Sequence, residues 1–204
     1  MSDLEFSALL VSRVCHDLVG PLGAVVNGLE VLEDERDAAV RADALKLVTS
    51  SAEQALARLQ FMRIAFGAAG SAGAELDLGE VGRLIAGLLN GGRVTLSWEP
   101  PHENWPKDWA KLLMNAVLIA ADCLPRGGAV RVELNGNLST PGFRIFATGQ
   151  GARVTEELER ALRGEACEHD ARGVQPVLTW RLAKEINAGL TIAARDGRVE
   201  IVAG

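Results

Sequence analysis

One histidine in this sequence has neighbours that suit it for nucleophilic chemistry. His16 is followed directly by Asp17, and Pro21 comes five residues after the histidine. An unprotonated imidazole nitrogen is a nucleophile, and a neighbouring carboxylate can hold the proton on the other ring nitrogen. The pair therefore indicates a catalytic nucleophile and its orienting partner. The simpler interpretation is a solvated histidine beside an ordinary helix carboxylate.

This histidine lies within a long amphipathic helix, which we predict over residues 3–33. Apolar residues recur there at intervals of three and four positions and form one stripe. The stripe consists of Val11, Val14, Leu18, Leu22, Val25, Leu29 and Leu32. His16 is off the stripe, on a line of small or polar residues that a partner's backbone could approach. Two glycines on that line, Gly20 and Gly23, could equally allow close helix packing. Proline has no N–H to donate, so Pro21 should bend the helix just after His16.

A second helix is predicted over residues 39–66, after a charged turn at 34–37. Its apolar residues have heptad-like spacing, and the short turn makes the two helices an antiparallel hairpin. Two helices alone cannot bury both apolar stripes. We therefore expect a second copy of the chain to close a four-helix bundle, which makes the protein a homodimer.

The remaining chain reads as a mixed α/β domain. Residues 67–74 are small and rich in glycine, which is typical of a linker. We predict helices at 79–90, 108–124, 155–163 and 177–187, and strands at 93–98, 129–134, 143–147, 190–194 and 199–202. The fold class is therefore α+β, with a helical domain at 1–67, a linker at 68–76, and a C-terminal α/β sandwich at 77–204.

Composition excludes several classes of function. The net charge is −6, and no cluster of basic and aromatic residues is present, which argues against nucleic-acid binding. The acidic N-terminus does not resemble a secretory signal, and no charge-free apolar run reaches the roughly 18 residues of a membrane span. We expect a cytoplasmic protein with no membrane partner. Its three cysteines are widely separated and read as reduced thiols, and the pair Cys167 and His169 is too small a set to predict a metal site.

Both halves together resemble the sensor histidine kinases, which join a dimeric helical hairpin to an ATP-binding α/β domain. A closer resemblance is to the ChpT-type histidine phosphotransferase family. The signature around the acceptor of that family is similar to the segment Cys15-His16-Asp17-Leu18-Val19-Gly20-Pro21. The resemblance extends from about Leu4 to the last strand, and it is specific in the first helix and architectural beyond it.

The chain departs from a working kinase at three places. Kinases of this fold carry two asparagines that help to hold Mg²⁺, but Lys111 takes the first position and only Asn115 remains. Lysine has no acceptor for a metal. Ala147 replaces the carboxylate that would bond the adenine amino group, and such a loss costs on the order of 1–3 kcal/mol or more. The phosphate loop is reduced to the segment 173–177, which has one glycine and one proline. We therefore expect no ATP binding and no bound cofactor.

The resemblance implies a phosphoryl shuttle in a two-component relay. His16 would take a phosphoryl group from a receiver-domain aspartate of a hybrid kinase and pass it to response regulators, with Asp17 orienting the ring. The receiver would supply Mg²⁺. The expected docking surface consists of Arg13, Val19, Gly20, Gly23 and Asn27, and the α/β domain would help to dock the receiver. Two alternatives remain: a divergent ATP-dependent histidine kinase or phosphatase, and a non-catalytic dimeric adaptor.

Overall fold

The N-terminal part of the chain is the predicted helical hairpin. The computed structural model describes residues 1–67, 74–137, 139–165, 170–171 and 173–204. Helix α1 spans Asp3–Asp34 and helix α2 spans Ala38–Ala65. Ser2 and Glu5 form a capping box at the start of α1, and Asp37 accepts bonds from two backbone N–H groups at the start of α2. Both helices therefore begin at residues that satisfy their free donors.

A glycine that sequence reasoning did not single out allows the two helices to approach closely. Gly28 is buried, and a Cβ atom added to it would lie 2.6 Å from Cγ2 of Val48 on α2. Added Cβ atoms at Gly20 and Gly23 would meet nothing within 4 Å. Gly20 and Gly23 therefore lie on an exposed face of α1, where none of the described helices of the same chain packs against them.

The C-terminal part is built on a mixed five-stranded sheet with strand order β2-β4-β5-β7-β6. Its strands are β2 (Val94–Ser97), β4 (Gly128–Asn137), β5 (Thr140–Thr148), β6 (Leu190–Arg195) and β7 (Arg198–Ala203). Strand β2 runs parallel to β4, and the other neighbours are antiparallel. The helices are α3 (Leu78–Leu89), α4 (Lys107–Asp122), α5 (Glu156–Leu162) and α6 (Val174–Glu185). The α+β fold class is confirmed.

The sheet has one face against the helices. On the central strand β5, Phe143, Ile145 and Ala147 are fully buried, and α4 packs against this strand. Phe146 points to the opposite face, where the guanidinium groups of Arg131 and Arg198 lie over its ring. This alternation places the core between the sheet and the helical layer.

Two local features differ from the sequence prediction. A second, two-stranded sheet pairs β1 (Glu75–Asp77) with β3 (Asn104–Pro106), and both strands are too short for their alternation to be recognised. Helix α6 begins three residues earlier than predicted, because Pro176 fits the first turn, where its missing N–H costs no helical bond. The predicted linker at 68–76 falls largely outside the described residues.

The hairpin and the α/β domain share one core. Helix α2 packs against α3 and α4, and α1 contacts α6. Phe61, Met62 and Ala65 near the end of α2 belong to the same buried cluster as the sheet residues. The first helix is therefore positioned relative to the α/β domain by tertiary packing.

Candidate functional site

His16 lies in the middle of α1 with an accessible ring. Its side chain is 52% exposed, and its Nδ1 is 3.1 Å from Oδ1 of Asp17. When Nδ1 carries the ring proton, it donates to this carboxylate and Nε2 keeps a lone pair. The predicted pair is therefore brought together in the geometry of an exposed nucleophile and an orienting acceptor.

Asp17 is itself held by a buried arginine. Its side chain is 15% exposed, and its Oδ2 accepts a bond of 2.8 Å from Nε of Arg13. Arg13 also approaches α4, where its Nη2 is 4.0 Å from Oδ2 of Asp122. With a side chain only 9% exposed, Arg13 presents little surface to a partner. Arg13 therefore holds the Asp17 carboxylate from the buried side of the helix, and its role in docking a receiver stays a prediction.

A second arginine reaches the backbone beside His16. Helix α1 continues through Pro21 without interruption. Proline has no N–H, so the carbonyl oxygen of Asp17, four residues earlier, receives no bond from position 21. Nη1 of Arg58, on the facing helix α2, donates to that oxygen at 3.2 Å. Sequence reasoning missed Arg58, although the proline four residues after Asp17 signals a carbonyl in need of another donor.

His16 opens onto a cleft between the hairpin and the α/β domain. The cleft has a volume of about 630 Å³. Its charged lining comprises Arg13, His16, Asp17, Arg58, Arg93 and Asp122, and apolar residues such as Leu88, Leu89 and Leu118 form the rest of the wall. Three arginines beside an exposed imidazole make this cleft suitable for a negatively charged group.

The other predicted docking residues lie on the surface of α1. Val19 is 68% exposed, and Gly20, Gly23 and Asn27 are exposed as well. They follow His16 along the helix towards the hairpin turn. This surface is accessible to a partner protein, and its role in docking stays a prediction.

The residues at the predicted position of a kinase nucleotide site have other partners. Nδ2 of Asn115 donates to the carbonyl oxygens of Ala65 and Lys111, each at 2.9 Å, and the residue is fully buried. Gln175 of α6 donates in turn to the backbone oxygen of Asn115 at 2.9 Å. Burial lowers the pKa of the Lys111 ammonium, and the negative charge of Asp108 opposes this shift. Asn115 therefore connects α2, α4 and α6.

The turn at Gly149, which follows strand β5, is explained by close packing of the backbone. Ala147 is fully buried in β5 and presents a methyl group where a kinase has a carboxylate. A Cβ atom at Gly149 would collide with the carbonyl oxygen of Gly127, so the glycine permits a close backbone approach. Among the described residues, a nearby cavity of about 340 Å³ is lined by the carboxylates of Asp122, Glu157 and Asp170 and by the guanidinium of Arg153.

The described residues offer few ligands to a resident metal ion. No group of three or more histidine, cysteine, aspartate or glutamate side chains suited to a metal occurs in that part of the chain. Burial raises the pKa of the Cys123 thiol to about 12, which keeps it protonated and a poor ligand. Cys15 is exposed. The weak pair Cys167 and His169 lies outside the described residues.

Comparison with known proteins gives a consistent result. The family described as histidine phosphotransferase C-terminal domain matches residues 78–198. The protein phosphotransferase ChpT of Brucella abortus (strain 2308) is 41% identical over 99% of this chain and 95% of its own length. A bacterial phosphotransferase solved at 1.7 Å has a TM-score of 0.89 and 38% identity, over 100% of this chain and 98% of that one. The chain therefore belongs to the histidine phosphotransferase family and is a phosphotransferase of phosphorelay signalling.

Proposed function

We propose that His16 is the phosphoryl acceptor of this phosphotransferase. It takes the group from a receiver-domain aspartate of a hybrid histidine kinase and returns it to the receiver domains of response regulators. The family places its partners among two-component kinases and regulators. The observation that carries the proposal is the exposed imidazole whose Nδ1 lies 3.1 Å from the Asp17 carboxylate, which leaves Nε2 free to attack.

The reaction is a reversible exchange of one bond to phosphorus. The lone pair of Nε2 attacks the phosphorus of the partner's aspartyl phosphate, an N–P bond forms, and the P–O bond to the aspartate breaks. The partner keeps a free carboxylate. The Nδ1 proton stays on the imidazole, where Asp17 stabilises the positive charge that the ring gains. In the return step, a receiver carboxylate attacks phosphorus and Nε2 recovers its lone pair.

The cations of the transition state come from both proteins. Negative charge spreads over the phosphoryl oxygens and needs compensation. The cleft beside His16 contributes guanidinium groups, among them those of Arg58 and Arg93. The Asp17 carboxylate is already bound to Arg13, and among the described residues no group of three or more histidine, cysteine, aspartate or glutamate side chains could hold a metal ion. The receiver domain therefore supplies the Mg²⁺, and this chain supplies a nucleophile on a rigid helix.

The chain performs this transfer without binding ATP. The Asn115 amide donates to two backbone carbonyl oxygens. Lys111 is a buried cation at the position where the resemblance to kinases implies a metal ligand. Ala147 offers no acceptor to an adenine ring. These features support a domain that has kept the kinase-like architecture and lost the donor set for Mg²⁺ and nucleotide.

The working form is a cytoplasmic homodimer. Large apolar residues of the hairpin are exposed in the single chain: they include Val11, Leu22, Val26, Leu29, Leu45, Leu56 and Leu59. Helix α1 is long and apolar enough to cross a membrane by length and composition, with 6% of its apolar window buried. A second hairpin would cover this surface and close a four-helix bundle. Neither a membrane nor nucleic acid is then needed as a partner.

The experiment that tests the proposal follows radiolabel from two donors. A phosphorylated receiver domain should label the wild-type protein and His102→Ala, which changes an exposed histidine of the α/β domain, but not His16→Ala. Labelled ATP should label none of the three. Direct labelling by ATP would establish the alternative of a divergent kinase. An unchanged relay with His16→Ala would establish the adaptor and overturn the proposal.

A further inference from the structure

We infer that Arg58 is a positioning residue for His16, and that it acts through the backbone carbonyl that Pro21 leaves without a helical donor. The inference rests on the proposed function and extends it to the facing helix. Its starting point is a bond of 3.2 Å between Nη1 of Arg58 and the carbonyl oxygen of Asp17. The two residues are 41 positions apart in the chain, so the bond ties α2 to α1 beside the nucleophile.

The local geometry explains why this carbonyl needs a donor. Within an α-helix, the N–H of residue 21 would donate to the oxygen of residue 17. Proline at position 21 removes that N–H while α1 continues as a helix on both sides. A half-buried carbonyl without a partner costs free energy. The Arg58 guanidinium provides the missing bond.

Three contacts then converge on the residue that orients the imidazole. Asp17 binds His16 through Oδ1, Arg13 through Oδ2 and Arg58 through its backbone oxygen. Arg13 fixes the carboxylate, and Arg58 fixes the peptide group to which the carboxylate is attached. Because the guanidinium also lines the cleft beside His16, its charge remains near the place where the phosphoryl group arrives.

A double-mutant cycle separates this role from a general effect of the charge. Arg58→Met removes the donor and keeps the length of the side chain, and we expect transfer from a labelled receiver to fall about five- to tenfold. Arg58→Lys should recover part of the loss. Pro21→Ala restores the helical N–H, so Arg58→Met in that background should lower transfer by a clearly smaller factor than with Pro21 present, and the loss that remains measures the charge of Arg58 in the cleft. Arg63→Met, at an exposed position of the same helix, is the matched control and should transfer normally.

A spectroscopic measurement makes the test independent of the partner. Nitrogen NMR of His16 in the full chain should show a changed distribution of the proton between Nδ1 and Nε2 in Arg58→Met. Arg63→Met and the Pro21→Ala/Arg58→Met double variant should match the wild type. Thermal melts establish that each variant is folded.

The possible results are distinct. Equal effects of Arg58→Met in the two backgrounds, or an unchanged His16 spectrum, would overturn the inference. If no variant accepts label, wild type included, then the proposed function fails. The spectra still decide whether Arg58 positions the ring.

Discussion

At the scale of single residues, Asp17 organises the site. Its carboxylate binds the imidazole with one oxygen and a buried guanidinium with the other. A carboxylate with both oxygens bound is fixed in orientation, so it selects the Nδ1-protonated ring. The nucleophilic nitrogen is then the one that points away from Asp17.

Asp17→Asn should slow phosphoryl transfer without removing the acceptor. An amide can still bond to the ring, but it lacks the charge that stabilises the positive imidazole, so we expect a loss of roughly tenfold or more. The variant also removes the nearer of the two carboxylates beside Arg13, Asp122 being the other, and should melt at a lower temperature. Transfer is therefore measured well below the melting transition of the variant, and a wild-type rate there would contradict this role of Asp17.

Lys111 is a second residue whose buried environment leads to a testable prediction. Burial of the ammonium lowers its pKa below the usual 10.5, so the charged form is destabilised in the folded protein. Below the lowered pKa this penalty is fully present, and it is relieved as the pH rises from the lowered pKa towards 10.5.

Lys111→Met should therefore raise the melting temperature at pH 7, by about 2–4 °C for each kcal/mol gained. The advantage should shrink as the pH approaches 10.5. Calorimetry at pH 7 and pH 10 measures both effects. Lys107→Met, at the start of the same helix, is the control, and a destabilised Lys111→Met protein would show that the ammonium makes a favourable buried contact.

At the scale of elements, helix α1 presents different glycines to the hairpin and to solvent. Gly28 faces α2 at close range, whereas Gly20 and Gly23 have open space where a side chain would start. A large residue at the two exposed positions is therefore compatible with the fold but alters the surface next to His16.

Gly20→Arg and Gly23→Arg should block transfer from a receiver while leaving the melting temperature nearly unchanged. The long side chain would occupy the surface that the receiver helix approaches. Rates of labelling from a phosphorylated receiver test this, with Ala39→Arg near the hairpin turn as the control. Normal rates in both glycine variants would remove this face from the docking surface.

The hairpin and the site on it were only partly predictable from the sequence. The hairpin was predictable because apolar residues recur with helical spacing on both sides of the charged turn at 34–37. The pair His16 and Asp17 was predictable because the two residues are adjacent. The burial of Arg13 and the contact of Arg58 were not predicted, because both depend on how the helices pack across the fold, which spacing along the sequence does not reveal.

At the scale of the whole molecule, one end of the hairpin packs against the α/β domain and the rest presents an apolar surface to solvent. Its end near residue 61 belongs to the core of the α/β domain, while its middle and turn carry exposed leucines and valines. An exposed apolar stripe of this length is typical of a surface that another chain covers. The dimer proposed above follows from that stripe.

The double variant Leu29→Glu/Leu45→Glu should be a folded monomer. Both leucines are exposed in the single chain, so charges there cost little within one copy but are unfavourable in an apolar bundle. Sedimentation at micromolar concentration should give a dimer for the wild type and a monomer for the variant, with equal helix content by circular dichroism. A monomeric wild type would contradict the four-helix bundle.

In the proposed reaction, Nε2 of His16 carries the phosphoryl group while Nδ1 is held by Asp17. Phosphorus and nitrogen NMR of the protein, after transfer from a phosphorylated receiver domain, tests it most directly. We expect one phosphohistidine, at residue 16, with phosphorus bonded to Nε2. Phosphorus on Nδ1, or on any other residue, would contradict it.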